Sequence, residues 1–149
     1  HNGATHDLVG FLGIHTELLS DSIMGLVESG AVTGRLKTRE RGRVATTFAM
    51  GSADLYEWID DNPAVMLLPV DICNNPLVVA EFSNFCAINA TMQVDLLGQC
   101  ASESIGHHYV SSTGGQADFI RGAVEGNGAK FGDEFFGGLE DGGFESSSA

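Results

Sequence analysis

Glu17 is the first side chain whose type and setting could do chemistry. It closes the run Leu12-Gly13-Ile14-His15-Thr16-Glu17. Phe11, Leu12 and Ile14 suit a buried strand, while Leu18, Leu19, Ile23, Met24 and Val27 fall at helical spacing, with Ser20 and Asp21 near the turn. The expectation is a short strand that ends on Glu17 and passes directly into a helix. Ligands of open α/β sheets bind outside the carboxyl ends of the strands, which would put Glu17 at such a crevice. A glutamate there is either a nucleophile or a helix-start residue satisfying free N–H groups, and the stretch alone leaves both open. His15 alternates with Glu17 and so shares its face; a packed or hydrogen-bonded histidine is the simpler reading than a general base.

The second such stretch is Ser111-Ser112-Thr113-Gly114-Gly115-Gln116-Ala117-Asp118-Phe119-Ile120-Arg121. Its glycines read as a tight loop before a helix. Such a loop presents backbone N–H groups where the helix dipole favours negative charge, which serves a phosphate or a developing oxyanion equally well. The plainer alternative is an ordinary turn, with Asp118 near a helix start. A third candidate is basic: residues 34–43 hold Arg35, Lys37, Arg39, Arg41 and Arg43, five of the seven basic residues. They form either a solvated loop or an anion-binding one.

Other chemistries find less support. His107 and His108 are adjacent, point to different sides of a strand, and have no carboxylate or cysteine at ligand spacing, so no metal site is expected. Cys73, Cys86 and Cys100 sit in apolar runs at wide spacing, which argues against a disulfide framework and for buried, inert thiols. No Walker-type loop, GxGxxG fingerprint or hydrolase elbow occurs.

These residues need elements to position them. Gly30 reads as the stop of the first helix. Val44 to Met50 reads as a strand ended by Gly51. Ser52 can cap a helix through Ile59 with Leu55, Trp58 and Ile59 as its apolar stripe. Val65 to Val70 reads as a third strand in spite of Pro69. Asn74-Asn75-Pro76 is a turn, and Leu77 to Phe82 a short strand or helical turn. Alternation from Phe85 to Leu97 predicts a long strand, bent or bulged, beside another from Gly98 to about Ser104. Strand–helix units followed by strands indicate α/β architecture with a largely parallel sheet. From about Gly126 the chain is rich in Gly, acids and terminal Ser, without period, and is expected to be disordered over 126–149.

With 149 residues the chain can form one domain with a core. Its net charge of -13 repels nucleic acid and anionic membranes. High acid content with only two lysines resembles proteins of high-salt cytoplasm, or simply an acidic protein with an acidic tail. The polar N-terminus reads as no signal peptide, and no apolar run approaches the roughly 20 residues of a membrane helix. A soluble cytoplasmic protein is expected.

Taken together, the two chemical stretches resemble the acetyl-CoA hydrolase/transferase family, which includes the 4-hydroxybutyrate and acetate CoA-transferases. The matching segments run collinearly over roughly residues 8 to 125. They are Leu12 to Glu17, Leu55 to Pro63, Pro69 to Asp71 with Asn75-Pro76, Ala87 to Asn89, Val94 to Leu96 with Gly98-Gln99, Ser104 to Gly106, and Gly114 to Ala123. The resemblance implies a three-layer α/β/α CoA-transferase-like domain, with residues 1–125 similar to part of the family's C-terminal half. The family's glutamate nucleophile attacks an acyl-CoA thioester. A mixed anhydride then gives a glutamyl-CoA thioester, which is resolved by a second carboxylic acid or by water. That glutamate matches Glu17, and the family's glycine loop matches Gly114, Gly115 and Gln116, with His15, Asn89 and Asp118 as supporting candidates.

The residue chemistry agrees. A carboxylate is ionised near neutral pH and needs no deprotonation before attack, and backbone N–H donors stabilise the oxyanion by about 3–4 kcal/mol each. No metal and no resident cofactor is implied. Coenzyme A thioester is the substrate, a small carboxylic acid the acceptor, and an N-terminal CoA-transferase half or a homo-oligomer the partner. The sequence departs from the family in three ways. The upstream half is missing, Ser112 stands where many members carry glycine, and an acidic tail follows Ala123 where members continue into a core strand. A fragment or one subunit of a split enzyme is therefore expected. The alternatives are a catalytically silent CoA-transferase-fold fragment serving as a binding or assembly module, and a plain thioesterase.

Overall fold

A computed structural model describes residues 10–126. The expectation of disorder over 126–149 lies, but for Gly126, outside the described residues. Two units are distinguished: residues 10–87 with 115–126, and residues 88–114.

The first unit is built on a parallel sheet in the order β1-β2-β3, comprising β1 (His15–Leu19), β2 (Val44–Ala49) and β3 (Val65–Leu67). Each strand is followed by a helix: α1 (Asp21–Glu28), α2 (Ala53–Ile59) and α3 (Val70–Cys73). The α1 chain stops at Ser29 and at Gly30, whose φ of +77° suits glycine. Ser52 caps α2 as its type predicts, its hydroxyl accepting from the Leu55 amide at 3.3 Å. The carboxylate of Asp21 accepts from the Ser52 amide at 3.2 Å and from its hydroxyl at 2.5 Å, joining the starts of α1 and α2.

Helices flank the sheet on both sides. One apolar cluster joins buried Leu19, Val32, Val44 and Leu55 to Ile14, Ile23, Met24, Val27, Trp58 and Ile59. The other joins Cys73 of α3, Val79 of α4 (Pro76–Ala80) and Phe119 of α5 (Gln116–Glu125). Ile14 belongs to the first cluster, whereas the ring of neighbouring His15 lies 4.8 Å from that of Phe82 and 6.1 Å from that of Phe119. The two clusters are separate, and the expected α/β fold with a parallel sheet and packed helices is present. Fully buried Leu55 anchors α2, and its truncation to Ala would cost ~2–5 kcal/mol.

Several boundaries differ from expectation. Leu18 and Leu19 belong to β1, not to the helix, so Glu17 lies inside the strand rather than at its end. Two leucines fit either period, and burial of Leu19 against the sheet decides it. β3 ends at Leu67 because Pro69, with no N–H to give the ladder, caps α3. Residues after Asn75 are helical, with Pro76 at the first position of α4 and the Asn75 side chain accepting from the Leu77 amide at 3.0 Å.

The second unit holds two small antiparallel hairpins, β4 (Gln93–Val94) with β5 (Cys100–Ala101) and β6 (Ser104–Ile105) with β7 (His108–Tyr109). The long strand expected over 85–97 is absent. Asp95 instead folds the chain back, its carboxylate accepting from the Leu97 and Gln99 amides at 2.8 Å each, with Gly98 at φ +83°. No residue of 88–114 is buried. Of the thiols expected to be buried, only Cys73 is; Cys86 and Cys100 are exposed.

Candidate functional site

The site is assembled from β1, the α3–α4 junction and the start of α5. Two bonds lock β1 to the end of α3. His15 Nε2 meets the Cys73 carbonyl at 2.7 Å, and the Cys73 thiol donates to the Thr16 carbonyl at 3.2 Å. A carbonyl only accepts, so the His15 proton sits on Nε2. Burial lowers the His15 pKa, favouring the neutral ring. His15 is thus the packed, hydrogen-bonded histidine expected of it, and its contacts fix the position of the next residue after Cys73.

That residue is Asn74. It is 7% exposed, and its Nδ2 donates to Glu17 Oε2 in a short hydrogen bond. Sequence reading passed over Asn74 as part of a turn. Its only signal was its place in Asn74-Asn75-Pro76, where Asn75 takes the capping role and leaves Asn74 free to face the strand. The Asn74 Oδ1 atom is buried without a partner.

Gly115 closes the other side. It is the N-cap of α5, and a Cβ built there would lie 2.5 Å from both Glu17 Oε2 and Asn74 Nδ2. No other residue leaves room for this approach. The glycine brings the amide-rich start of a ten-residue helix against the Glu17 carboxylate. α5 is seated by a second close approach, since a Cβ at Gly122 would overlap Val79 of α4. Asp118, a candidate for orienting the loop, lies 3.9 Å from Arg121, and its amide bonds the Gly115 carbonyl at 3.1 Å. Gln116 is the first residue of α5. Gly114 and Asn89 fall in the second unit, Gly114 exposed and Asn89 partly so.

The basic loop is not wholly solvated, though Arg35, Arg41 and Arg43 are exposed. Lys37 is 8% exposed, and its Nζ donates to the carbonyls of Ile14 at 2.9 Å and Arg43 at 2.8 Å. Burial brings its pKa down to about 8. Its stem crosses Gly13, where a Cβ would overlap the lysine side chain. Arg39 pairs with Glu81 at 3.2 Å and Glu40 at 3.5 Å, and Arg35 lies over Phe11 at 4.4 Å. Among the described residues no group of three or more His, Cys, Asp or Glu could hold a metal, and no helix is long and apolar enough to cross a membrane.

Comparison with known proteins gives the family. The acetyl-CoA hydrolase/transferase C-terminal domain matches residues 51–131. The chain is 51% identical over 119 residues to a succinyl-CoA:cyclohexane-1-carboxylate CoA transferase of Geobacter metallireducens, covering 80% of this chain and 27% of that protein. It is 47% identical to the 4-hydroxybutyrate coenzyme A transferase of Clostridium kluyveri, covering 80% and 28%. Its fold is similar to the crystal structure of RipA from Yersinia pestis, with a TM-score of 0.74, 46% identity and coverage of 80% of this chain and 27% of that one. The chain thus spans about a quarter of the length of the relatives it matches. It belongs to the acetyl-CoA hydrolase/transferase family, within that family's C-terminal domain.

Proposed function

We propose that the chain carries the nucleophile of an acyl-CoA:carboxylate CoA-transferase, or of an acetyl-CoA hydrolase, and that the nucleophile is Glu17. The observation that carries this reading is the setting of its carboxylate. One oxygen is held by the Asn74 amide, and the start of α5 approaches through Gly115. The remaining oxygen attacks the thioester carbonyl and expels the CoA thiolate, forming a mixed anhydride. The thiolate then adds to the Glu17 carbonyl carbon and the acyl carboxylate leaves, giving a glutamyl-CoA thioester. A second carboxylate, or water, takes up that intermediate. The Asn74 amide and the α5 amides supply donors for the charge that develops, each worth about 3–4 kcal/mol when well placed. Acyl-CoA and a small carboxylic acid are the substrates, with an upstream CoA-transferase half, or a second copy, completing the site.

The test is covalent trapping. The chain, alone and then mixed with the upstream half of a relative, is incubated with acetyl-CoA or propionyl-CoA and borohydride, and peptides are mapped by mass spectrometry. Reduction of Glu17 to the alcohol only when acyl-CoA is present is the expected result. An unmodified Glu17 in a mixture shown to form a complex overturns the reading.

A second reading is a catalytically silent fragment acting as a binding or assembly module. The observation favouring it is the second unit, where no residue is buried while Leu96, Leu97 and Tyr109 are 104%, 84% and 86% exposed. Complex formation without Glu17 labelling would select it.

A further inference from the structure

Two neighbouring threonines on β2 face opposite ways and are treated differently by the fold. Thr46 is fully buried, and its hydroxyl lies 3.0 Å from the carbonyls of Glu17 and Phe48. The Thr47 hydroxyl oxygen is also sealed from solvent, yet it makes no hydrogen bond of ordinary geometry and interacts only weakly with the Cys73 thiol, which itself donates to the Thr16 carbonyl. A thiol is a poor partner for a buried hydroxyl, so its retention points to a better partner that arrives later. The register says what that partner is near. Thr16 stands beside Thr46 and Leu18 beside Phe48, which places Thr47 beside Glu17. Side chains directly opposite on one sheet face have Cβ atoms roughly 5 Å apart. The same corner holds the Cys73 sulfur, close enough for the Thr47 hydroxyl to hold its thiol down while burial pushes it up, and Asn74 with its own unpaired Oδ1.

We propose that Thr47 is a catalytic residue whose hydroxyl donates a hydrogen bond to the Glu17-derived carbonyl oxygen while CoA is transferred. This rests on the reading of Glu17 as nucleophile and adds a donor to it. In the step concerned, CoA thiolate adds to the Glu17 carbonyl carbon of the mixed anhydride and a C–S bond forms. The carbonyl oxygen carries the negative charge, and the charge leaves with the acyl carboxylate as the anhydride C–O bond breaks. The Thr47 proton stays on Oγ1 throughout. Asn74 supplies one donor to this oxygen, as it does to the resting carboxylate, and Thr47 the second.

The experiment compares the full chain with Thr47→Val and Thr47→Ser, each mixed with the upstream half of a relative. The readouts are the rate of Glu17 labelling by borohydride, the melting temperature, and the infrared carbonyl stretch of the glutamyl thioester made with 13C-labelled Glu. Valine matches threonine in shape and serine keeps the hydroxyl. The expected result is labelling slowed about 10²-fold in Thr47→Val and restored to within a few-fold in Thr47→Ser. The carbonyl stretch should move to higher frequency only in the valine variant. Labelling of Thr47→Val at the unmodified rate overturns the proposal, as does an equal fall in both variants. An unchanged carbonyl stretch does the same, whatever the melting temperatures. If the unmodified chain is not labelled in a formed complex, the nucleophile reading itself fails and this inference with it.

Discussion

At the scale of single residues, Glu17 depends on two neighbours that leave little freedom. Asn74→Ala removes the side-chain donor from the carboxylate while the backbone of the α3–α4 junction stays held by the His15–Cys73 bond. Glu17 labelling by acyl-CoA in the assembled protein should fall by about 10²- to 10³-fold, as for loss of one oxyanion donor, with little change in the circular dichroism spectrum. Gly115→Ala acts differently, because the added methyl would sit 2.5 Å from both Glu17 Oε2 and Asn74 Nδ2. Relief requires the Glu17 and Asn74 side chains to give up their contact or α5 to shift. The expected outcome is loss of labelling together with a stability decrease of ~1–3 kcal/mol in urea titration. The pair separates two roles, since the asparagine variant should lose chemistry and keep stability, while the alanine variant should lose both.

At the scale of elements, Lys37 clamps the start of β1 to the start of β2 through the Ile14 and Arg43 carbonyls. Its pKa falls from 10.5 to about 8 on burial. Below pH 8 the ammonium is charged in both folded and unfolded chains, so the desolvation penalty is constant. Between about pH 8 and 10.5 the unfolded chain holds the proton and the folded chain does not, so stability rises with pH across that window, by about 3 kcal/mol at most. Denaturant titrations at pH 7.5 and 10 should show this rise in the unmodified chain and lose it in Lys37→Met.

The same elements show what could be read in advance. The parallel sheet, the Ser52 cap, the helix after Gly115 and the Gly30 stop all follow from local side-chain chemistry, which the sequence carries within a few residues. The Glu17–Asn74 contact bridges 57 positions and depends on His15 and Cys73 locking two elements together, which no local pattern encodes. The strand expected over 85–97 failed for the converse reason. Its alternation is real, but a strand needs a partner, and the Asp95 turn gives the chain a shorter one.

At the scale of the whole molecule, the apolar surface is unevenly distributed. The first unit has two buried clusters, though Leu36, Met50 and Leu77 among others stay exposed, while the second buries no residue and leaves Val94, Leu96, Leu97, Ile105, Tyr109 and Val110 exposed on or beside its two-residue hairpins. Isolated two-stranded hairpins are marginal in water, and large apolar side chains exposed at this density suit an interaction surface or form an aggregation liability. Net charge of -13 opposes non-specific clumping at low salt and is screened at high salt, where the Debye length drops to about 3 Å at 1 M. The chain alone should therefore bind a hydrophobic dye and self-associate progressively as salt is raised, measured by dye fluorescence and sedimentation velocity. Mixing with the upstream half of a relative should suppress both, because the match covers only 27–28% of those relatives and the rest of their polypeptide can cover such side chains. A monomer indifferent to salt, dye and the added half would mean that the exposed side chains of 88–114 serve no interface, and the assembly reading would lose its footing.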